Sequence, residues 1–100
     1  MSNFYAVYDI KAQYYLAPFT SVNDHTAKRA FIGACSDPDT KLYKFPTDYE
    51  LFHVGEFLEE TGELVPVEAK RSLGLAASYK RLDFYGVDPV ETTTTEEGTQ

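Results

Sequence analysis

Residues 49–67 constrain the fold of this chain more than any other segment. Positions 49–58 concentrate large apolar and aromatic side chains in a short run, which is typical of a β-strand. Gly62 follows a polar stretch at a place where a tight turn needs a positive φ, and the apolar pattern resumes after it. Pro66 cannot donate a hydrogen bond to a neighbouring strand, so the second strand should lie at a sheet edge. The segment therefore predicts an antiparallel hairpin.

A second hairpin is predicted at the start of the chain. Residues 3–10 are rich in aromatic and β-branched types, and residues 14–17 resume that character after a polar break. Pro18 restricts the second piece to the end or the edge of a strand. The simplest arrangement pairs the two pieces across the polar break.

One main helix is predicted between the two hairpins. Asn23 and Asp24 are both good N-cap residues. The apolar positions that follow recur at i, i+3, i+4 and i+7, which is the spacing of one helix face. These positions are Ala27, Ala30, Phe31 and Ala34. The helix should stop at Asp37, because a residue that precedes proline is pushed out of the helical region.

The remaining segments have weaker patterns. Residues 41–48 show no clean period and indicate a loop or a short strand. Residues 72–78 fit either a short helix or a packed connector, and residues 79–85 suggest a final extended piece. The chain as a whole therefore predicts an α+β fold, a small antiparallel sheet built from two hairpins with one main helix, in a single domain over residues 1–86.

The end of the chain differs in composition from the rest. The formal net charge is −7, yet residues 1–82 hold all 9 basic residues against eleven of the 16 acidic ones. The other five acidic residues lie from Asp83 onward, where no Lys or Arg occurs. Residues 87–100 therefore predict a disordered acidic tail. Such a tail either improves solubility, competes with DNA for a basic surface, or docks other proteins.

No constellation of residues is typical of an enzyme active site. Cys35 lies beside the predicted apolar helix face and indicates a small core residue or a half-buried one. His25 falls in the first helical turn, and His53 lies in a strand where a packed, hydrogen-bonded histidine is the usual outcome. There is no Cys or His pair at metal-binding spacing and no Gly-rich phosphate loop. We therefore expect no enzymatic activity, no metal and no cofactor.

Composition also bears on where the protein works. A single cysteine cannot form an internal disulfide, which suits a reducing compartment. No apolar run approaches the roughly 20 residues that span a bilayer. We expect a soluble cytoplasmic protein without a membrane partner.

Basic residues in pairs are the one recurrent feature with a chemical meaning. Lys and Arg can follow a phosphate backbone while neighbouring rings stack on bases, a combination typical of sequence-tolerant single-strand binding. The candidate nucleic-acid-binding residues are Lys28, Arg29, Lys41, Tyr43, Lys44, Lys70, Arg71, Tyr79, Lys80 and Arg81. The alternative is an ordinary solvated surface with its rings in the core. Convergence of the charges on one face would decide between them.

Several short motifs occur in a characteristic order. They cover residues 5–13, 15–19, 48–56 and 72–76, with shorter matches at Ala30-Phe31 and Asp37-Pro38 and at the turn around Gly62. Their order and spacing over roughly residues 4–77 resemble the small nonstructural protein of gokushovirus-type microviruses, which are bacteriophages with circular single-stranded DNA.

The resemblance implies a nonstructural protein, made in the host bacterial cytoplasm and not built into the virion. Such proteins are usually described as DNA-binding or as acting in single-strand synthesis, without an established activity or assigned residues. One hypothesis is therefore an accessory protein that binds single-stranded DNA during viral genome replication. The other is a protein–protein adaptor or regulator of the phage replication machinery without direct DNA contact. In both, edge strands with exposed rings favour a homo-oligomer, with a dimer preferred.

Overall fold

One antiparallel sheet organises residues 2–79, the part of the chain that this computed structural model describes. Its central strands are β1 and β4, which pair along their whole length, and β5 pairs with the outer side of β4. Two short strands, β2 and β3, pair with different parts of the other side of β1. The elements are β1 Ser2–Asp9, β2 Tyr14–Tyr15, β3 Phe19–Ser21, α1 Asp24–Ser36, α2 Lys41–Lys44, a 3₁₀ turn Pro46–Asp48, β4 Tyr49–Leu58 and β5 Glu63–Leu75.

The hairpin predicted from residues 49–67 is confirmed as β4 and β5. Its turn is closed by two hydrogen bonds in which the Thr61 and Gly62 amides donate to the Leu58 carbonyl, at 3.2 and 2.7 Å. Gly62 has φ 78°, as the turn required. Pro66 lies in the edge strand. β5 runs on to Leu75, so residues 72–75 are strand and only residues 76–79 are helical.

The N-terminal hairpin is confirmed as β1 and β2. Tyr8 pairs with Tyr15 and Asp9 pairs with Tyr14. The turn between them is held at Asp9, whose side chain accepts from the Ala12 amide at 3.0 Å and whose carbonyl accepts from the Gln13 amide at 2.7 Å. The chain then returns to the same side of β1 as β3, which the sequence did not predict because three residues carry too little pattern.

Helix α1 begins and ends where the sequence predicted. The Asn23 side chain accepts from the Thr26 amide at 2.9 Å, and the Thr26 hydroxyl accepts from the Asn23 amide at 3.3 Å, so each residue caps the other. Asp37 leaves the helical region ahead of Pro38. The buried stripe differs from the predicted one and consists of Ala27, Phe31, Ile32 and Cys35, while Ala30 is exposed.

Residues 41–48 form α2 and the 3₁₀ turn where the sequence predicted a loop or a short strand. Thr40 caps this piece, because its hydroxyl accepts from the Tyr43 amide at 3.2 Å. Leu42 is buried against the same core as α1. A single helical turn is too short to show a repeating apolar pattern. The conformation of α2 therefore depends on its cap at Thr40 and on the buried Leu42.

All described helices pack on one face of the sheet. Tyr5, Tyr49 and Leu51 project from that face into a cluster that holds α1, α2 and residue Ala76. Cys35 is fully buried in this cluster, which confirms its predicted core role. Within residues 2–79 no helix is long and apolar enough to cross a membrane. The extended piece predicted over residues 79–85 begins with Tyr79, which is helical and not extended. Residues 80–85 and the acidic tail lie outside the described residues.

Candidate nucleic-acid interface

The sheet face opposite the helices, here the open face, is aromatic. Because side chains alternate along a strand, Tyr5 and Val7 of β1 point to the helices while Phe4 and Tyr8 point the other way. The registers extend this assignment to the neighbouring strands, since directly paired residues share a face. No described helix covers this face.

Three rings on the open face form a cluster, here the aromatic platform. The ring centroids of Tyr8 and Tyr15 are 4.6 Å apart, and Phe52 lies 5.9 Å from Tyr15 and 6.4 Å from Tyr8 in edge-on geometry. Each such contact contributes about 0.5–1.5 kcal/mol beyond burial, so the rings hold one another in place. Tyr15 remains 39% exposed. The platform therefore presents ring surface in a fixed orientation.

A lysine stands at the edge of this platform. The Lys70 ammonium lies 5.8 Å from the centre of the Tyr15 ring, within cation–π range. Its position depends on an irregularity in β5, since β4 pairs His53 with Arg71 and Gly55 with Pro66. Four residues of β5 thus face a single residue of β4. Bulges of this kind redirect side chains, and here a positive charge comes to lie beside exposed rings.

The basic residues of α1 and α2 lie on the other side of the sheet. Arg29, Lys41 and Lys44 are exposed, and Lys28 is half-buried. All four belong to the helical layer, whereas Lys70 belongs to the open face. Apart from Lys11, which is exposed in the turn between β1 and β2, the described lysines and arginines therefore form two groups on opposite sides of the sheet. Lys80 and Arg81 lie outside the described residues.

Arg71 points to the helical layer and is bound to Asp24. Two hydrogen bonds join its guanidinium to the carboxylate, at 2.6 and 3.2 Å, and the Tyr5 hydroxyl donates to the same carboxylate at 2.8 Å. The bond from Arg71 is the main reason that the pKa of Asp24 is lowered to about 2. Burial, followed by the hydrogen bond to Asp24 and the charge of that carboxylate, raises the pKa of Tyr5 to about 12. Arg71 thus ties β5 to the start of α1.

The two tyrosines predicted to stack on bases have different surroundings. Tyr79 packs its ring edge-on against Phe31 at 5.9 Å, and its hydroxyl donates to the Leu73 carbonyl. Burial raises the pKa of Tyr79. Tyr43 is half-buried in α2. The rings that the structure groups on the open face, which no helix within residues 2–79 covers, are instead Tyr8, Tyr15 and Phe52. No sequence signal joined them, because strand pairing alone brings them together.

His53 is packed as predicted, but its hydrogen bonding differs. The imidazole is buried and its ring centre lies 5.2 Å from that of the Tyr5 ring. Its Nε2 is buried and has no hydrogen-bond partner among residues 2–79. A strand position among large side chains indicates burial, but it does not indicate which polar groups reach the ring.

Comparison with known proteins places the chain among phage proteins. A family model described as Phage ORF5 protein matches residues 2–79. Protein ORF5 of Chlamydia phage 1 is 34% identical over 70 residues, which cover 66% of this chain and 73% of that protein. No solved structure matches the chain. The resemblance to a gokushovirus-type microvirus protein is thereby confirmed.

Proposed function

This chain belongs to the phage ORF5 protein family, and we propose that it is a nonstructural accessory protein that binds single-stranded DNA during replication of the viral genome. The observation that carries the proposal is the aromatic platform, uncovered by any described helix and flanked by Lys70. The role is non-enzymatic, and the protein acts in the host bacterial cytoplasm outside the virion.

Stacking supplies most of the binding energy in this proposal. Every base has a π-face, so an exposed ring binds all four bases, and each stacked base contributes about 1–3 kcal/mol. Tyr15 offers the most accessible ring of the platform, and the contacts with Tyr8 and Phe52 keep it from rotating. Lys70 lies where a phosphate next to a stacked base would pass. The site therefore fits a single strand better than a duplex, whose bases are already stacked.

The test is fluorescence anisotropy of a labelled single-stranded oligonucleotide titrated with the full chain, at low and at physiological salt. Tyr15→Ala and Phe52→Ala should each weaken binding about tenfold, the equivalent of one lost stacking contact. Tyr14→Ala is the matched control, because Tyr14 occupies the same two-residue strand and is 56% exposed, but it pairs with Asp9 and points to the other side. An equal effect of all three variants would refute the platform as the site.

A second comparison separates the two groups of cations. Lys70→Ala should weaken binding, whereas Lys28→Ala and Arg29→Ala on α1 should leave it within about twofold. The reverse pattern would assign DNA binding to the helical layer. Removal of residues 87–100 tests the tail, and tighter binding by the shortened chain would assign it an inhibitory role.

The alternative function, a protein–protein adaptor of the replication machinery, is supported by a different observation. Leu64 and Val65 on the β4–β5 hairpin are exposed apolar side chains beside an apolar groove. If neither the full chain nor the shortened chain binds DNA at low salt, while the immobilised protein retains a phage replication protein at physiological salt, the adaptor function replaces DNA binding.

A further inference from the structure

An apolar groove lies at the hairpin end of the molecule. It is open to solvent and has a volume of about 210 Å³ next to Gly55 of β4, which exceeds the cavity of about 150 Å³ that binds benzene. Leu64 at its rim is 65% exposed. The side chains around it are Phe4, Pro18, Val54, Leu64, Val65 and Pro66.

The surroundings of this groove are strongly acidic. Residues 54–69 contain five glutamates and no Lys or Arg, and Glu56 lines the groove itself. An apolar pocket with an anionic rim selects an apolar group that carries positive charge beside it. The occupant should therefore be a ring or an aliphatic side chain flanked by lysine or arginine.

The chain itself carries such a group at the opposite end of β4. Phe45 is 55% exposed, which is unusual for a phenylalanine, and the exposed Lys41 and Lys44 accompany it in α2. Its amide donates to the Lys41 carbonyl at 2.8 Å, which fixes the Phe45 backbone relative to the helical turn. Phe45 comes just before the 3₁₀ turn that leads into β4. The groove lies about 20 Å along β4 from the first residue of that strand.

We propose that Phe45 of one copy inserts into the groove of the next, with Lys41 and Lys44 facing Glu56. In this arrangement each copy gives its ring to one neighbour and its groove to another, so the contact is heterologous and leaves a free ring at one end of each oligomer and a free groove at the other. Head-to-tail association of this kind deepens the proposed function. The purpose of the association rests on that function, but the contact itself does not. It would place aromatic platforms in series along one strand, which produces cooperative coating.

The test is sedimentation velocity of the full chain without DNA, from micromolar to submillimolar concentration. The wild type should show a sedimentation coefficient that rises with concentration. Phe45→Ala and Leu64→Asp should each abolish that rise, and Val22→Ala is the control because Val22 is similarly exposed but lies in neither surface. Circular dichroism and thermal melting confirm that each variant is folded.

A wild type that forms species larger than a dimer distinguishes this arrangement from a symmetric dimer, and mixing the two defective variants tests whether ring and groove pair. Phe45→Ala retains its groove and Leu64→Asp retains its ring, so an equimolar mixture should form a dimer that goes no further. A mixture that stays monomeric, or a wild type that stays monomeric, would overturn the proposal. Loss of DNA binding with intact association would instead overturn the proposed function alone.

A charge exchange provides the second variant pair. Lys44→Glu should weaken association about tenfold, and Glu56→Lys in the other copy should restore it when the two variants are mixed. Equal association of the wild type and Lys44→Glu would show that the acidic rim has no part in the contact.

Discussion

Asp24 joins three elements that lie far apart in the chain. Its carboxylate receives hydrogen bonds from Tyr5 of β1 and Arg71 of β5, while its backbone begins α1. No pattern in the sequence indicates this contact, since 47 positions separate Asp24 from Arg71. Asp24 was predicted only as a cap candidate, because capping depends on neighbours in the chain and ion pairing depends on the finished fold.

The contact with Arg71 makes stability depend on pH. The pKa of Asp24 is lowered from 3.8 to about 2, so this carboxylate stabilises the fold fully above its unfolded value and loses that effect as the pH falls from about 4 to 2. Asp24→Asn should cost about 1 kcal/mol at pH 7, a modest amount because solvent screens the half-exposed pair. Urea denaturation at pH 7 and pH 3 measures this. Asp39→Asn is the control, and an identical pH slope in both variants would contradict the assignment.

Two glycines should respond in opposite directions to the same substitution. Gly74 has φ 119°, and a Cβ there would lie 3.0 Å from the Tyr79 ring. Gly74→Ala should therefore destabilise the protein by about 1–3 kcal/mol. Gly33 lies in α1 with nothing within 4 Å of a Cβ, so Gly33→Ala should stabilise it by about 1 kcal/mol. Thermal melting of both variants checks the signs, and a stabilising Gly74→Ala would contradict the structure.

At the scale of elements, prediction from sequence succeeded where the signal is local. The β4–β5 turn and the cap of α1 are each specified by a few adjacent residues. The full length of β5 was missed, because its pattern breaks where four residues bulge between Pro66 and Arg71. The predicted stripe of α1 was partly wrong because Ile32 is buried and Ala30 is exposed. Which side of a helix is buried depends on the partner it packs against.

The mutual caps of α1 should have a measurable effect. Asn23→Ala removes the acceptor of the Thr26 amide and should cost about 1 kcal/mol, a drop in Tm of about 4–8 °C for a domain of this size. Asn23→Asp keeps an acceptor and should preserve the Tm within a fraction of that drop. An equal drop in Tm in both variants would mean that the side-chain nitrogen of Asn23, and not its side-chain oxygen, stabilises the cap.

At the scale of the whole molecule, the sheet separates two chemistries. The helical layer carries most of the described cations, and the open face carries the rings with Lys70. Lys70 was among the candidates predicted from the sequence, but the platform was not, because Tyr8, Tyr15 and Phe52 meet only through the pairing of β1 with β2 and β4. A sequence motif does not indicate on which face of the sheet a strand residue lies. Nor does it indicate which other elements cover that face.

This separation predicts a weak dependence of DNA binding on salt. Each phosphate contact releases counterions. For single strands it contributes about −0.7 to the slope of the logarithm of the binding constant against the logarithm of the salt concentration. Binding through the platform and Lys70 should give a slope near that value, and Lys70→Ala should flatten it. Anisotropy titrations at several salt concentrations measure the slope. A slope steeper than about −3 would require the cations of the helical layer.

The complete burial of Cys35 has a practical consequence. It is the only cysteine of the chain and lies on the buried side of α1, in the core. A thiol reagent added to the native protein reaches it only when α1 separates from the sheet, so the rate of its modification reports how often the core opens. Cysteines introduced on the surface would react with the reagent at once, and the buried Cys35 thiol would not compete with them. The protein thus contains its own reporter of opening and accepts site-specific labels without prior removal of the native thiol.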